Sequence, residues 1–236
     1  DRTGIHSVGN SNKYSEIKEG GPFHIARGPE YLPSTYLQFF KEHGWVCLNS
    51  ILAPEIVLGL EKITCTDRFE HLEFNTSTPP LNQSPFIAKA AAEPLSLWLM
   101  RQYMQTDDIR LAHTPGLAIL DLDDGKRNTQ GWHSDYPYLW GITGHQQDSR
   151  VPTASGSTVL GVQRNVCISD FTKLGGATAF KLGSHILETP PPESWGRGSK
   201  YFQSNAREQY GLPYSGPEAD IIETPGGSII LYDART

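Results

Sequence analysis

Cysteine is scarce in this chain. Its 236 residues contain only Cys47, Cys65 and Cys167, which are widely spaced and form no Cys-x-x-Cys pair. An odd number of distant cysteines does not suit a disulfide-stapled scaffold and favours a reducing compartment. We therefore expect a cytoplasmic protein.

Basic runs and long apolar segments are also missing. The 20 Lys and Arg residues are outnumbered by 26 Asp and Glu, and no basic cluster predicts nucleic-acid binding. The longest apolar stretch, residues 95–104, is interrupted by Ser96, Arg101 and Gln102 and is too short to span a membrane. No signal peptide is visible, and because the chain starts at Asp1, its natural N-terminus need not be this residue.

Glycine and proline, by contrast, are plentiful. The 23 Gly and 17 Pro residues, with only 19% charged residues, indicate many turns and short strands rather than a helical bundle. The length suits one domain. We predict a polar, flexible lead-in over residues 1–30 and a single domain over residues 31–236.

Turn and cap residues predict elements along the first half of the chain. Ser34 or Thr35 is expected to cap a helix that ends at Gly44, and Pro54 is expected to open a second helix. The expected order is helix 34–43, strand 45–48, helix 54–63, loop 66–83 and helix 85–105, interrupted at Pro94.

Strand patterns dominate the second half. Residues 109–122, 159–169, 177–182, 221–222 and 228–233 are predicted strands, and a long loop is predicted over residues 187–217. Helices followed by strands indicate an α+β fold, mainly β, in which a sandwich or barrel holds the site.

The segment GWHSDYPY, residues 131–138, carries the chemistry. His133 and Asp135 are separated by one residue, so an extended backbone would direct both side chains to one face. Two histidines and one carboxylate on one face of an octahedron form the Fe(II) site of non-haem oxygenases. With 8 His and 12 Asp, about 0.4 such pairs arise by chance, so a surface histidine near a turn aspartate is the alternative. Neighbouring aromatic residues favour a pocket: Trp132, Tyr136, Tyr138 and Trp140.

Three further segments give the chain a family resemblance. They are FFKEHGWVCLNSILAPEIVLGLEKI, GGATAFKLGSH at residues 175–185, and TPGGSIILYDART at the end of the chain. In order and spacing, together with His133-x-Asp135, they resemble the phytanoyl-CoA dioxygenase family over about residues 33–236. The resemblance implies a double-stranded β-helix core of the jelly-roll or cupin type, with N-terminal helices packed on one sheet. It also implies Fe(II), with 2-oxoglutarate and O2 as cosubstrates.

The same resemblance implies a role for individual residues. His133 and Asp135 correspond to the first two iron ligands. Gln130, Thr178 and Asn165 correspond to positions that hold 2-oxoglutarate, although Thr178 and Asn165 also suit ordinary strand packing. Strand alternation predicts that Gln163, Asn165 and Cys167 share one face. The expected pocket residues are Tyr136, Tyr138, Trp140 and His113, the last on a predicted strand as a core or pocket-wall residue.

The third ligand, a distal histidine, is expected just beyond Thr236, and the arginine that binds 2-oxoglutarate further still. We therefore expect a chain that is truncated at its C-terminus. His185 is the alternative third ligand, although the family pattern gives its Gly-Ser-His a structural role.

The implied reaction is hydroxylation of an unactivated C–H bond in a small molecule, with release of succinate and CO2. Asp135 favours hydroxylation over halogenation, because related halogenases carry a small residue at that position. No basic patch suits CoA phosphates, and the loops 142–156 and 187–217 are expected to select the substrate. No nucleic-acid or membrane partner is expected, and the oligomeric state is not predicted. Two alternatives stay open: a cupin-like metal enzyme that does not use 2-oxoglutarate, and a non-catalytic binding module on the same fold.

Overall fold

A computed structural model describes residues 29, 31–64, 79–117, 133–135, 159–173, 175–187 and 220–236. Five α-helices fall within these residues: α1 (Pro33–His43), α2 (Pro54–Ile63), α3 (Pro80–Gln83), α4 (Pro85–Ala91) and α5 (Pro94–Met104). The five strands are β1 (Trp45–Leu48), β2 (Val162–Cys167), β3 (Ala179–Phe180), β4 (Asp220–Ile221) and β5 (Ser228–Asp233). One turn of 3-10 helix spans Ser184–Ile186.

Proline begins the helices and glycine ends the first of them. Each of the five helices has proline in its first turn, where the missing N–H removes no intrahelical bond. Gly44 ends α1 in the left-handed region, with φ 73°, and its N–H donates to the carbonyl of Phe40. The predicted ends of α1 and α2 are therefore confirmed. The predicted cap of α1 is wrong, because Leu32 occupies the N-cap and Ser34 lies inside the helix.

Three other sequence predictions need correction. The single helix expected over residues 85–105 is two helices, since the side chains of Ser84 and Glu93 cap α4 and α5 separately. The loop predicted over residues 66–83 is helical at α3. Residues 109–117 form no strand, although their pattern predicted one, and residues 118–122 lie outside the described part of the chain.

A three-stranded antiparallel sheet organises the described residues. Its strand order is β1-β5-β2, so the central strand β5 pairs along both edges, and all six of its residues are buried. The second sheet is the antiparallel pair β3-β4. The uninterrupted register of β2 against β5 confirms that Gln163, Asn165 and Cys167 share a face.

Helices cover one face of the three-stranded sheet. Val46, Leu48, Ile229 and Leu231 point into a core that includes Tyr36, Phe40 and Leu99 from α1 and α5. Arg164 of β2 also reaches this layer, where its guanidinium donates to Ser96 Oγ and to the Ala90 carbonyl, each at 3.0 Å. These two bonds tie β2 to the end of α4 and the start of α5.

The opposite face of the sheet packs against the second sheet. Its core joins Trp45, Cys47, Cys167, Ile230 and Tyr232 to Phe180 of β3 and to Ile222, which follows β4. Two antiparallel layers thus enclose this core, and the closed jelly-roll that the resemblance implies stays a prediction. Among the described residues, no helix has the length and apolar character to cross a membrane.

Candidate metal centre

The His133–Asp135 segment lies beside the end of the central strand. The N–H of Asp135 donates to the carbonyl of Ala234 at 2.8 Å, and the N–H of Ala234 donates to Gly161 at 3.1 Å. Gly161 comes directly before β2, so the segment 133–135 reaches β5 next to the start of β2. The backbone therefore fixes Asp135 at the end of the sheet.

The side chains of His133 and Asp135 converge, as the sequence predicted. Nε2 of His133 lies 3.4 Å from Oδ1 of Asp135, and the two side chains are 21% and 25% exposed. If one ion lay about 2.1 Å from both atoms, the nitrogen–metal–oxygen angle would be about 108°. An octahedral ion prefers about 90°, which the pair would reach if the two atoms closed to about 3.0 Å. The pair therefore fits two adjacent ligands of one metal ion after a shift of a few tenths of an ångström.

Tyr232 holds the other oxygen of this carboxylate. Its hydroxyl donates to Oδ2 of Asp135 at 2.9 Å. Tyr232 is 7% exposed, and its ring meets Phe180 edge-on, with the ring centroids 4.9 Å apart. Burial, together with the charge of Asp135, raises the pKa of Tyr232, so its hydroxyl keeps its proton and acts as a donor.

Sequence reasoning missed Tyr232. The available signal was the tyrosine hydroxyl near the end of the otherwise apolar strand SIILYD. Alternation places Tyr232 on the same face as Ile230. Its partner Asp135 is 97 positions away in the chain, and only the folded structure brings the two together.

The other predicted site residues divide into three groups. Asn165 lies on the same face of the sheet as Tyr232, opposite Ile230 in the register. Thr178 is exposed and comes directly before β3. The remaining cosubstrate and pocket residues lie outside the described part of the chain: Gln130, Tyr136, Tyr138 and Trp140.

His113 differs from its prediction. Its ring is exposed, it lies in a segment without a strand, and its Nδ1 is 2.9 Å from the carbonyl oxygen of Thr114. Its assignment to a strand and to the core is therefore wrong, while a place at the wall of a pocket stays a prediction.

His185, the alternative third ligand, packs over Gly44, which directly precedes β1 on the other side of β5. Its ring lies directly over Gly44, whose carbonyl accepts the N–H of Asp233, whereas Asp135 binds the next residue, Ala234. Successive residues of a strand direct their backbone groups to opposite edges. His185 is 6% exposed, and its Nδ1 has no hydrogen-bond partner among the described residues. Burial lowers the pKa of this imidazole, so it is neutral in the folded protein near pH 7.

Asp233 forms a second tyrosine–carboxylate pair on the helix-covered face. It is fully buried and accepts the hydroxyl of Tyr103 at 2.8 Å, together with Nε and Nη2 of Arg235 at 2.9 and 2.7 Å. The Arg235 fork thus binds a carboxylate of its own chain, which fixes the backbone directly after β5. Burial and the charge of Asp233 raise the pKa of Tyr103.

Comparisons with known proteins leave the family resemblance as a prediction. No protein-family model matches the chain. A search of curated proteins finds no matching relative. Within the described residues, no group of three or more His, Cys, Asp or Glu side chains is arranged to hold a metal ion. Within the described residues, His133 and Asp135 therefore form a pair of potential donors without a third.

Proposed function

We propose that this protein is a non-haem Fe(II)- and 2-oxoglutarate-dependent dioxygenase that hydroxylates an unactivated C–H bond of a small molecule. The observation that carries the proposal is the convergence of His133 Nε2 and Asp135 Oδ1 at 3.4 Å, with Oδ2 held separately by Tyr232. An imidazole and a carboxylate that lie this close together match two of the three ligands in the oxygenase facial triad.

His133 and Asp135 would hold the iron through one nitrogen and one oxygen. When bound, Fe(II) would supply the activation of O2 that is coupled to the conversion of 2-oxoglutarate to succinate and CO2. The chain's own part is to orient the donors. The Asp135–Ala234 backbone bond fixes the segment, and the partial burial of both side chains limits the water that competes for the site.

Other residues would position the organic reactants. Asn165 lies on the face of the sheet that carries Tyr232, and Thr178 comes two residues before Phe180, which packs on Tyr232. We assign both to the binding of 2-oxoglutarate together with Gln130, and we assign Tyr136, Tyr138 and Trp140 to the substrate pocket. By the family resemblance, the carboxylate of Asp135 would occupy the position that a halide needs in the related halogenases, so hydroxylation is the proposed outcome.

A cytoplasmic location is part of the same proposal. Cys47 and Cys167 are buried free thiols, and burial raises the pKa of each to about 12. Both thiols therefore stay protonated at neutral pH. The Sγ of Cys47 donates to Oδ1 of Asn49 at 3.1 Å.

An anaerobic titration tests the proposal. The full-length natural protein is titrated with Fe(II) and then with 2-oxoglutarate, while the weak visible absorption of the Fe(II)–2-oxoglutarate chelate is followed. We expect the band in the wild type and in His43→Ala, whose histidine is half-exposed at the end of α1, and its loss in His133→Ala. Succinate release in air then screens candidate substrates.

Two other outcomes would contradict the proposal. If iron binds but the band does not form, 2-oxoglutarate is excluded as a cosubstrate. That result would favour a cupin-like metal enzyme. The absence of both iron and 2-oxoglutarate binding would favour a non-catalytic module.

A further inference from the structure

We propose that Tyr232 is a positioning residue that restricts Asp135 to metal binding through Oδ1 alone, an inference that rests on the metal site proposed above. The phenol would act on the metal only through the carboxylate. It would determine which oxygen is presented to the ion and how the carboxylate is oriented.

The two oxygens of Asp135 have different partners. Oδ2 accepts the hydroxyl of Tyr232 at 2.9 Å, whereas Oδ1 lies 3.4 Å from Nε2 of His133. A carboxylate without a partner can bind an ion through either oxygen or through both. Because the hydroxyl engages Oδ2, Oδ1 is the oxygen left to share an ion with His133.

Asp135 is anchored twice at the end of β5, once to its strand and once to the residue that follows it. Its side chain binds Tyr232, and its backbone N–H binds the carbonyl of Ala234, two residues further along. The backbone bond sets the position of Cα and the phenol sets the orientation of the carboxylate. Together they leave the side chain little rotational freedom, which is what a preorganised ligand requires.

Tyr232 is itself held rigidly. It lies on the central strand, where it pairs with Trp45 of β1 and Gln163 of β2. Its ring is buried and packs edge-on against Phe180 of the second sheet. The hydroxyl therefore has a fixed position, which a tyrosine on a surface loop would lack.

One-oxygen binding matters for the proposed reaction. A carboxylate that binds through one oxygen occupies one coordination position instead of two. An octahedral ion with three protein ligands then keeps three positions, as a two-point 2-oxo acid and O2 require.

The matched variants Tyr232→Phe and Tyr103→Phe test the inference. Tyr232→Phe removes the hydroxyl and retains the ring that packs on Phe180. Tyr103→Phe removes the same kind of phenol–carboxylate bond, 2.8 Å long, from Asp233 on the helix-covered face. The full-length protein is titrated anaerobically with Co(II), whose visible d–d absorption reports coordination number as well as affinity.

We expect Tyr232→Phe to weaken Co(II) binding about 10- to 100-fold, as loss of a partner behind a metal ligand typically does. We also expect the d–d band to change in intensity and position, because Oδ2 becomes free to coordinate. Tyr103→Phe should keep both the affinity and the band of the wild type. A wild-type band and affinity in Tyr232→Phe would overturn the inference.

His133→Ala separates failure of this inference from failure of the metal site. If the wild type binds Co(II), His133→Ala does not, and Tyr232→Phe resembles the wild type, the metal site stands and only the role of Tyr232 is wrong. If the wild type itself fails to bind Co(II), both proposals fall. Should Tyr232→Phe not fold, as judged by circular dichroism, Phe180→Leu decides instead. Weaker binding with an altered band supports the inference, and unchanged binding overturns it.

Discussion

The two faces of the three-stranded sheet carry different chemistry on the same strands. On β5, Ile229 and Leu231 pack against the helices, whereas Ile230 and Tyr232 face the second sheet. Each face also contains a tyrosine–carboxylate bond of nearly equal length, Tyr103 to Asp233 at 2.8 Å and Tyr232 to Asp135 at 2.9 Å.

The two carboxylates differ in their access to water and to an ion. Asp233 is fully buried and is also bound by Arg235, so its bonds are complete within the protein. The Asp135 side chain is 25% exposed, and its second oxygen lies near an imidazole. We therefore expect the helix-covered face to supply stability and the opposite face to carry the proposed site. Substitutions on the two faces should therefore separate stability from metal binding.

Leu231→Ala should have the largest effect on stability. Leu231 is fully buried on the central strand within the helix-covered core. Truncation there removes apolar contacts and leaves a cavity, which costs about 2–5 kcal/mol of unfolding free energy. Urea denaturation followed by tryptophan fluorescence measures the loss, and Co(II) affinity of the folded variant should not change.

Ile186→Ala is the control, because Ile186 is 74% exposed and its truncation should change the unfolding free energy by less than about 0.5 kcal/mol. Similar losses in the two variants would contradict the role assigned to this face.

Gly44→Ala should be the next most damaging change. Gly44 has φ 73°, and a Cβ at this position would overlap the ring of His185. The left-handed backbone alone costs a non-glycine residue about 1–2 kcal/mol, and displacement of the ring adds to this. Gly183→Ala is a matched control, because Gly183 has φ 82° with nothing within 4 Å of an added Cβ. Thermal melting should show a clearly larger loss for Gly44→Ala, and equal losses would refute the ring contact.

Tyr103→Phe should destabilise the protein more than Tyr232→Phe does. Asp233 is fully buried, so water cannot replace the lost phenol bond, whereas the exposed part of Asp135 allows water to do so. A hydrogen bond to a charged group contributes about 1.5–3 kcal/mol, and Arg235 should limit the loss at Asp233 to the lower part of this range. Urea denaturation of the two metal-free variants measures the difference. A larger loss in Tyr232→Phe would reverse the assignment of the two faces.

Local signals predicted much of the fold that these variants probe. Pro54 and Gly44 marked helix boundaries, because their backbone preferences act within a few residues. The strand Ser228–Asp233 was predicted from its composition and confirmed. The predicted start of α1 was wrong, because the helix begins at Pro33 and Ser34 already lies in its first turn. The strand predicted over residues 109–117 was wrong. A strand also needs a neighbouring strand to pair with, and a local sequence pattern carries no information about that partner.

The candidate site was predictable only in part, for the same reason. His133 and Asp135 are neighbours in sequence, so their spacing sufficed to predict convergence. The Tyr232–Asp135 and Tyr103–Asp233 bonds join residues 97 and 130 positions apart. Such pairs depend on strand order and register, which follow from the packing of the whole domain.

The smallest effect should come from the titration of His185. Burial lowers the pKa of this imidazole below its ordinary value of 6.5. Arg235 and His43 act in the same direction, and Asp233 opposes them. The unfolded chain therefore takes up a proton at a higher pH than the folded protein does. The stability associated with the neutral ring is complete above about pH 6.5 and decreases as the pH falls below it.

The comparison of wild type with His185→Gln isolates this contribution. Carboxylates titrate in both proteins, but only the wild type carries the buried imidazole over Gly44. The urea midpoint should therefore fall more in the wild type than in His185→Gln between about pH 8 and about pH 5.5, although the variant has lost packing at every pH. Parallel pH profiles would show that the ring takes up its proton without disturbing its contact with Gly44. The ring would then contribute to the β1 edge of the sheet by packing alone.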